Sequence, residues 1–162
     1  MTTRLHLFAA ALVLAIAVCA QGAGFEAELK LSEGKHEKTI KTAKIAVHKT
    51  LERRAAFDGP VGGQFTASCK ITRAGKDEAK DVLVHFYVVR IDRRGEAPPP
   101  LEPARVVIEG AWTMDFPPGE SSSARLPFRI DKPGVYLVRL EARPNVEESA
   151  MDAFVELDVD VK

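Results

Sequence analysis

The chain has 162 residues, 46% of them hydrophobic and 28% charged, with 23 basic residues against 23 acidic. That balance leaves no global field for gripping nucleic acid, and the length suits one domain with a real core. With two cysteines, one of them inside an apolar leader, a disulfide framework is excluded.

The leader comes first. Arg4 precedes an apolar run from Leu5 to Val18. At about 14 residues this is too short to span a bilayer, which takes roughly 20. Val18 and Ala20 fit the minus-three and minus-one positions of a cleavage site, so residues 1–20 read as a signal peptide cut after Ala20. Lipid attachment at Cys19 is the rival: Ile16 suits it, but Val18 is large for the position before the cysteine. The expectation is an exported protein, periplasmic or extracellular, with no further membrane span. Loss of the leader removes only Arg4, leaving 22 basic and 23 acidic residues.

Phe25, Ala27, Leu29 and Leu31 alternate with charged residues and predict a first strand. Residues 34–44 are highly charged and fit a loop, a strand or one helical turn. Ile45 and Val47 predict another strand. The expected division is an N-terminal strand and charged segment over 21–43, then a sandwich over 44–162. Asp58-Gly59-Pro60 with Gly62-Gly63 reads as a turn, followed by a strand in which Phe65, Ala67, Cys69 and Ile71 share one face. On that face Cys69 is expected to be buried and unpaired. After a turn at residues 74–77, Val82 to Ile91 is apolar on both faces, as in a central strand covered on both sides.

Residues 93–103, with Pro98-Pro99-Pro100, predict an exposed, semi-extended loop. Arg105–Ile108 and Ala111–Met114 read as two short strands parted by Glu109-Gly110. Ser121-Ser122-Ser123 read as solvated loop. Leu126, Phe128 and Ile130 form a strand in which Pro127 demands an edge or a bulge. Tyr136, Val138, Leu140 and Ala142 mark the next strand, and Val155, Leu157, Val159 and Val161 the last.

Seven or so short strands with frequent turns predict an all-β sandwich. The run Pro133-Gly134-Val135-Tyr136-Leu137-Val138 resembles the corner before the sixth strand of immunoglobulin-like and fibronectin-type domains. The resemblance implies an antiparallel sandwich of about seven to nine strands, with the Tyr136 hydroxyl bonding backbone upstream. Cys69 sits where such domains often place their first core cysteine. Val138 occupies the partner position, so the disulfide is absent, and the usual core tryptophan is missing from Val82 to Ile91.

Motifs that carry chemistry are scarce. No two histidines and a cysteine have blue-copper spacing, and no His or Cys pattern marks a zinc site. His85 reads as a satisfied sheet-face or core histidine. There is no Gly-x-Ser-x-Gly and no phosphate loop. Glu156, Asp158 and Asp160 lie on one strand face, about 7 Å apart, too spread for a calcium site, and read as a solvated face or as cross-strand ion pairs. Residues 30–54 carry eight Lys or Arg against three Glu, and residues 141–162 seven acids against two bases. Lys44 and His48 are therefore expected to face the last strand. Trp112, in phase with Met114 and Phe116, is expected to face the core; Trp112 and Phe116 are the candidate ligand residues if it does not.

The leading expectation is an exported, non-catalytic immunoglobulin-like module that binds an envelope or secreted protein. No enzyme activity, cofactor, metal or nucleic acid is expected. Alternatives are a carbohydrate-binding module using Trp112, and an envelope metal carrier or an enzyme with an unrecognised site.

Overall fold

The computed structural model describes residues 24–41, 54–144 and 153–162. The leader, Lys44, Ile45, Val47 and His48 lie outside the described residues. Among the described residues there are nine strands: β1 (Phe25–Glu33), β2 (His36–Lys41), β3 (Ala55–Gly59), β4 (Gly63–Arg73), β5 (Ala79–Ile91), β6 (Val106–Phe116), β7 (Ser121–Ile130), β8 (Gly134–Arg143) and β9 (Ala153–Val161). They form a four-stranded sheet in the order β2-β1-β4-β7 and a five-stranded sheet in the order β3-β9-β8-β5-β6. The protein is an immunoglobulin-like β-sandwich. All pairings are antiparallel except β3, which runs parallel to β9.

The core follows from alternation. Phe25, Leu29 and Leu31 of β1, and Phe65, Cys69 and Ile71 of β4, face Val84, Phe86, Val138, Leu140, Leu157 and Val159 of the other sheet, all buried. Phe65 stacks on Phe128 at 5.4 Å, and Phe25 meets Phe116 edge-on at 5.2 Å. Gly59 makes this packing possible. A Cβ there would come within 2.6 Å of the Phe65 ring, so no larger residue fits without moving the aromatic.

The tyrosine corner forms as the resemblance implies. Tyr136 is buried and its hydroxyl donates to the Lys132 carbonyl at 2.9 Å. Pro127 lies on β7, an edge strand, where its missing N–H costs no ladder bond.

Several expectations need correction. Residues 25–41 are not a segment apart from the sandwich, since β1 is hydrogen-bonded between β2 and β4. Of the three readings given for the charged run after β1, the strand holds: His36–Lys41 is the hairpin strand β2, turned by Gly34 at φ 56°. Strand β3 was hidden within Ala55–Gly59, where the turn residues Asp58 and Gly59 close the strand instead of replacing it. Residues 106–116 are one strand; Glu109 and Gly110 sit in register with Tyr87 and Phe86. Ser121–Ser123 pair with β4 as the start of β7. Residues 93–103 form the largely exposed loop expected, with half-buried Leu101 packed on the outer face of the five-stranded sheet.

Two outcomes check this fold. Cys69 is 3% exposed and burial pushes its thiol up to about 12, so a thiol reagent should label it fast in denaturant and at least about a hundredfold slower in native buffer. Tyr136→Phe removes only the hydroxyl, whose bond is worth about 1 kcal/mol, whereas Tyr136→Ala also opens a cavity and should cost ~3–5 kcal/mol in a denaturant melt.

Candidate interaction surface

The outer face of the five-stranded sheet is the most chemically elaborate region described. Period two sends Tyr87, Val89 and Ile91 of β5 and Leu137 of β8 outward, opposite to the core residues beside them. Val106 of β6 and Val135 of β8 pack on this apolar half, and Leu101 is the one apolar side chain that the segment 92–105 is seen to lay on it, as a strap. Polar contacts fix the strap. Arg54 Nη2 donates to the Glu96 carbonyl at 2.6 Å, and the Gly95 N–H donates to Asp158 Oδ2 at 2.8 Å. Arg94 pairs with Asp160 at 2.7 Å and with Asp58 at 3.2 Å.

The other half of the face carries a chain of alternating charges. Arg54 Nη1 meets Asp158 at 2.8 Å and Arg54 Nε meets Glu156 at 2.9 Å. Glu156 also accepts from Arg139 at 2.7 Å, its directly opposite residue on β8. Arg139 reaches Glu141 at 2.9 Å, and Arg143 reaches the same carboxylate at 2.6 Å. His85, opposite Glu141 on β5, lies between that carboxylate (3.4 Å) and Glu109 (2.8 Å), with the Tyr87 ring beside it. The ring of Phe154 sits under the Arg139 guanidinium at 4.4 Å.

Burial sets the weight of these pairs. The side chains of Asp158 and Glu141 are each 1% exposed, and those of Arg54 and Arg139 8% and 7%. Removing one member strands a buried charge, which costs roughly 3–5 kcal/mol, against about 0–1 for an exposed pair. Burial alone would raise the Glu141 carboxyl; hydrogen bonds from His85 and Arg139, with the charges of Arg139 and Arg143, outweigh it and hold the group at about 2. The Glu141 hydrogen bond raises His85 above its ordinary value, partly offset by burial and assisted by Glu109. Among the described residues no buried side-chain polar atom lacks a partner. The acidic face of β9 is thus a set of cross-strand ion pairs, with Arg54, Arg94 and Arg139 as the cations.

The second feature is the side of the sandwich where β6 and β7 close the two sheets. β6 is the outer strand of its sheet. Its inward stripe is Ile108, Gly110, Trp112, Met114 and Phe116, opposite Val88, Phe86, Val84, Val82 and Ala79. Phe116 is buried, but Ile108, Trp112 and Met114 are only half-buried, as are Ala124 and Leu126 of β7. The candidate ligand residues therefore part company: Phe116 is walled into the core against Phe25, while Trp112 packs on the core with part of its indole at this open side. Gly110 lies between Ile108 and Trp112, and a Cβ there would meet nothing within 4 Å. Its φ is not positive, so the backbone does not demand glycine. Mid-strand glycine costs about 0.5–1 kcal/mol relative to alanine, yet here it leaves a gap in an apolar stripe.

Among the described residues, no group of three or more His, Cys, Asp or Glu converges to hold a metal ion, and no helix is long and apolar enough to cross a membrane. No family model and no curated protein matches the chain. Solved structures similar to it include the CARDB domain of a Pyrococcus furiosus protein (12% identity, TM-score 0.46, covering 83% of this chain and 94% of that one). A crystal structure of the same domain in complex with di-metal ions matches at 11% identity and TM-score 0.46, covering 85% and 94%. The PmoD soluble domain from Methylocystis matches at 9% identity and TM-score 0.48, covering 82% and 90%.

The charge chain gives a pH profile. Glu141 is depressed from 4.5, so its contribution is complete above about 4.5 and is lost as pH falls toward 2. His85 is raised from 6.5, so its contribution is complete below about 6.5 and is lost as pH rises through its folded value. Thermal stability should peak between these limits. His85→Asn should flatten the alkaline limb, and a limb that His85→Asn leaves unchanged would refute the pairing.

Proposed function

We propose that this chain is an exported, non-catalytic immunoglobulin-like module that works by binding another polypeptide at the cell envelope, through the open side formed by β6 and β7. Export rests on the leader over residues 1–20. The observation that carries the binding reading is the coincidence of a strand edge that no described strand pairs with a half-buried apolar stripe, Ile108, Trp112 and Met114. Such a combination is adhesive, and soluble domains normally blunt it.

The other three edges are blunted. β7 carries Pro127, Arg125 and Arg129; β2 carries Glu37, Lys38 and Lys41; β3 has five residues. β6 has eleven residues and no proline, lysine or arginine, and its centre from Gly110 to Met114 is uncharged. The charged face of the same sheet is a poorer candidate, because its buried groups already hold one another.

Site-specific photo-cross-linking tests this reading. A benzophenone side chain at Thr113, exposed on β6, should capture a polypeptide in the native envelope. The same group at Ser68 on β4 should not. Adducts from Ser68 alone, or none from either position, would contradict the assignment. Soluble glycans should leave Trp112 emission unchanged; a glycan-dependent shift would replace the protein-binding reading with the carbohydrate-binding one.

A further inference from the structure

We infer that the polypeptide received by β6 is a second copy of this chain, its β6 paired antiparallel about a two-fold axis at Ala111. This rests on the binding reading above and names its partner. A two-fold axis perpendicular to the sheet keeps inner faces together, so inward residues must oppose inward residues. The axis therefore passes through a residue, and each choice fixes every cross-strand pair.

At Ala111 the pairs are complementary. Gly110 opposes Trp112 of the second copy, and Trp112 opposes its Gly110, so each indole fills the gap that a missing Cβ leaves. Ile108 opposes Met114, covering two half-buried apolar side chains on each copy. On the outer face Glu109 opposes Thr113 and Ala111 opposes itself; the alternation ends at Val107, where a register shift puts Val107 against the core and Val106 on the outer face. No like charges meet, and the in-phase overlap runs from Ile108 to Met114. An axis at Trp112 would set Glu109 against Asp115, and one at Gly110 would set the two gaps against each other. The arrangement also ends at two copies. Each β6 is used once, and the proline, charges or shortness of the remaining edges oppose further addition.

The register makes a sharp test. Directly opposite strand residues have Cα atoms about 4.5–5.5 Å apart, within the range a disulfide spans. Ala111→Cys in the mature chain should therefore give a disulfide-linked dimer on mild oxidation. Thr113→Cys should not, since its own counterpart lies four residues away along the strand, roughly 13 Å. Cys69 does not interfere, being buried with its thiol pushed up to about 12. Sedimentation equilibrium of the wild-type mature chain should show a dimer. Ala111→Lys places two ammonium groups across the axis, and Gly110→Val blocks the indole; each should weaken dimerisation at least tenfold while leaving far-ultraviolet circular dichroism and melting temperature unchanged or higher. A wild-type chain that stays monomeric at high micromolar concentration, or equal cross-linking of Ala111→Cys and Thr113→Cys, overturns the inference. If the chain is monomeric and benzophenone at Thr113 captures a different envelope protein, the second copy is wrong and the binding reading survives. If Thr113 captures nothing, both fall.

Discussion

Everything in this fold turns on a sheet that is apolar on both faces at its centre. β5 and β8 send Val84, Phe86, Val138 and Leu140 into the sandwich and Tyr87, Val89, Ile91 and Leu137 the other way. The inner set is covered by the four-stranded sheet. The outer set is covered in part by Val106 and Val135 of the same sheet and by Leu101 from residues 92–105. A strap without regular strand or helix cannot hold itself there, because ordering its backbone costs roughly 1–2 kcal/mol per residue. Arg54 and Asp158 hold it, through the Glu96 carbonyl and the Gly95 N–H. The buried ion chain is thus part of the same solution, since it fixes the strap at one end and fills the rest of the face at the other.

That solution explains why charge is spent where it is. Arg139, Glu141 and Asp158 are buried in ion pairs, with half-buried Glu156 among their partners, so they do structural work and leave little for an outside ligand. The open side is the reverse case. Its stripe of Ile108, Trp112 and Met114 is apolar, half-covered and next to backbone that no described strand pairs. Three of the edges among the described residues carry charge, proline or brevity, whereas the fourth, β6, is long and uncharged from Gly110 to Met114.

The sandwich was legible in the sequence because one-face burial writes a period of two. β1, β4, β7, β8 and β9 each carry it, and the tyrosine corner fixed the identity of β8. What failed had local causes. β3 is too short for a period to show, and its Asp58 and Gly59 are turn residues used at a strand end. β6 looked broken because Glu109 and Gly110 are poor strand formers, but pairing with Tyr87 and Phe86 overrides propensity. The exposed loop over residues 93–103 was legible from its prolines, whereas the packing of Leu101 on the outer face was not. The acidic face of β9 was left between a solvated face and ion pairs with Lys44 and His48, which lie outside the described residues; the cations found come from β8, from the strap and from Arg54, which only the three-dimensional arrangement brings together. For the open side, the phase of Trp112, Met114 and Phe116 was visible; that β6 lies at an edge, with Gly110 leaving space, was not.

Residue-resolved amide hydrogen exchange, followed as a function of protein concentration, tests the central claim most directly. The account predicts that the outward-pointing amides of β6 exchange fast in dilute solution and become protected as concentration rises, while the free-edge amides of β2, β3 and β7 stay fast throughout. Protection that is independent of concentration on β6, or that rises instead on one of the other three edges, would contradict it.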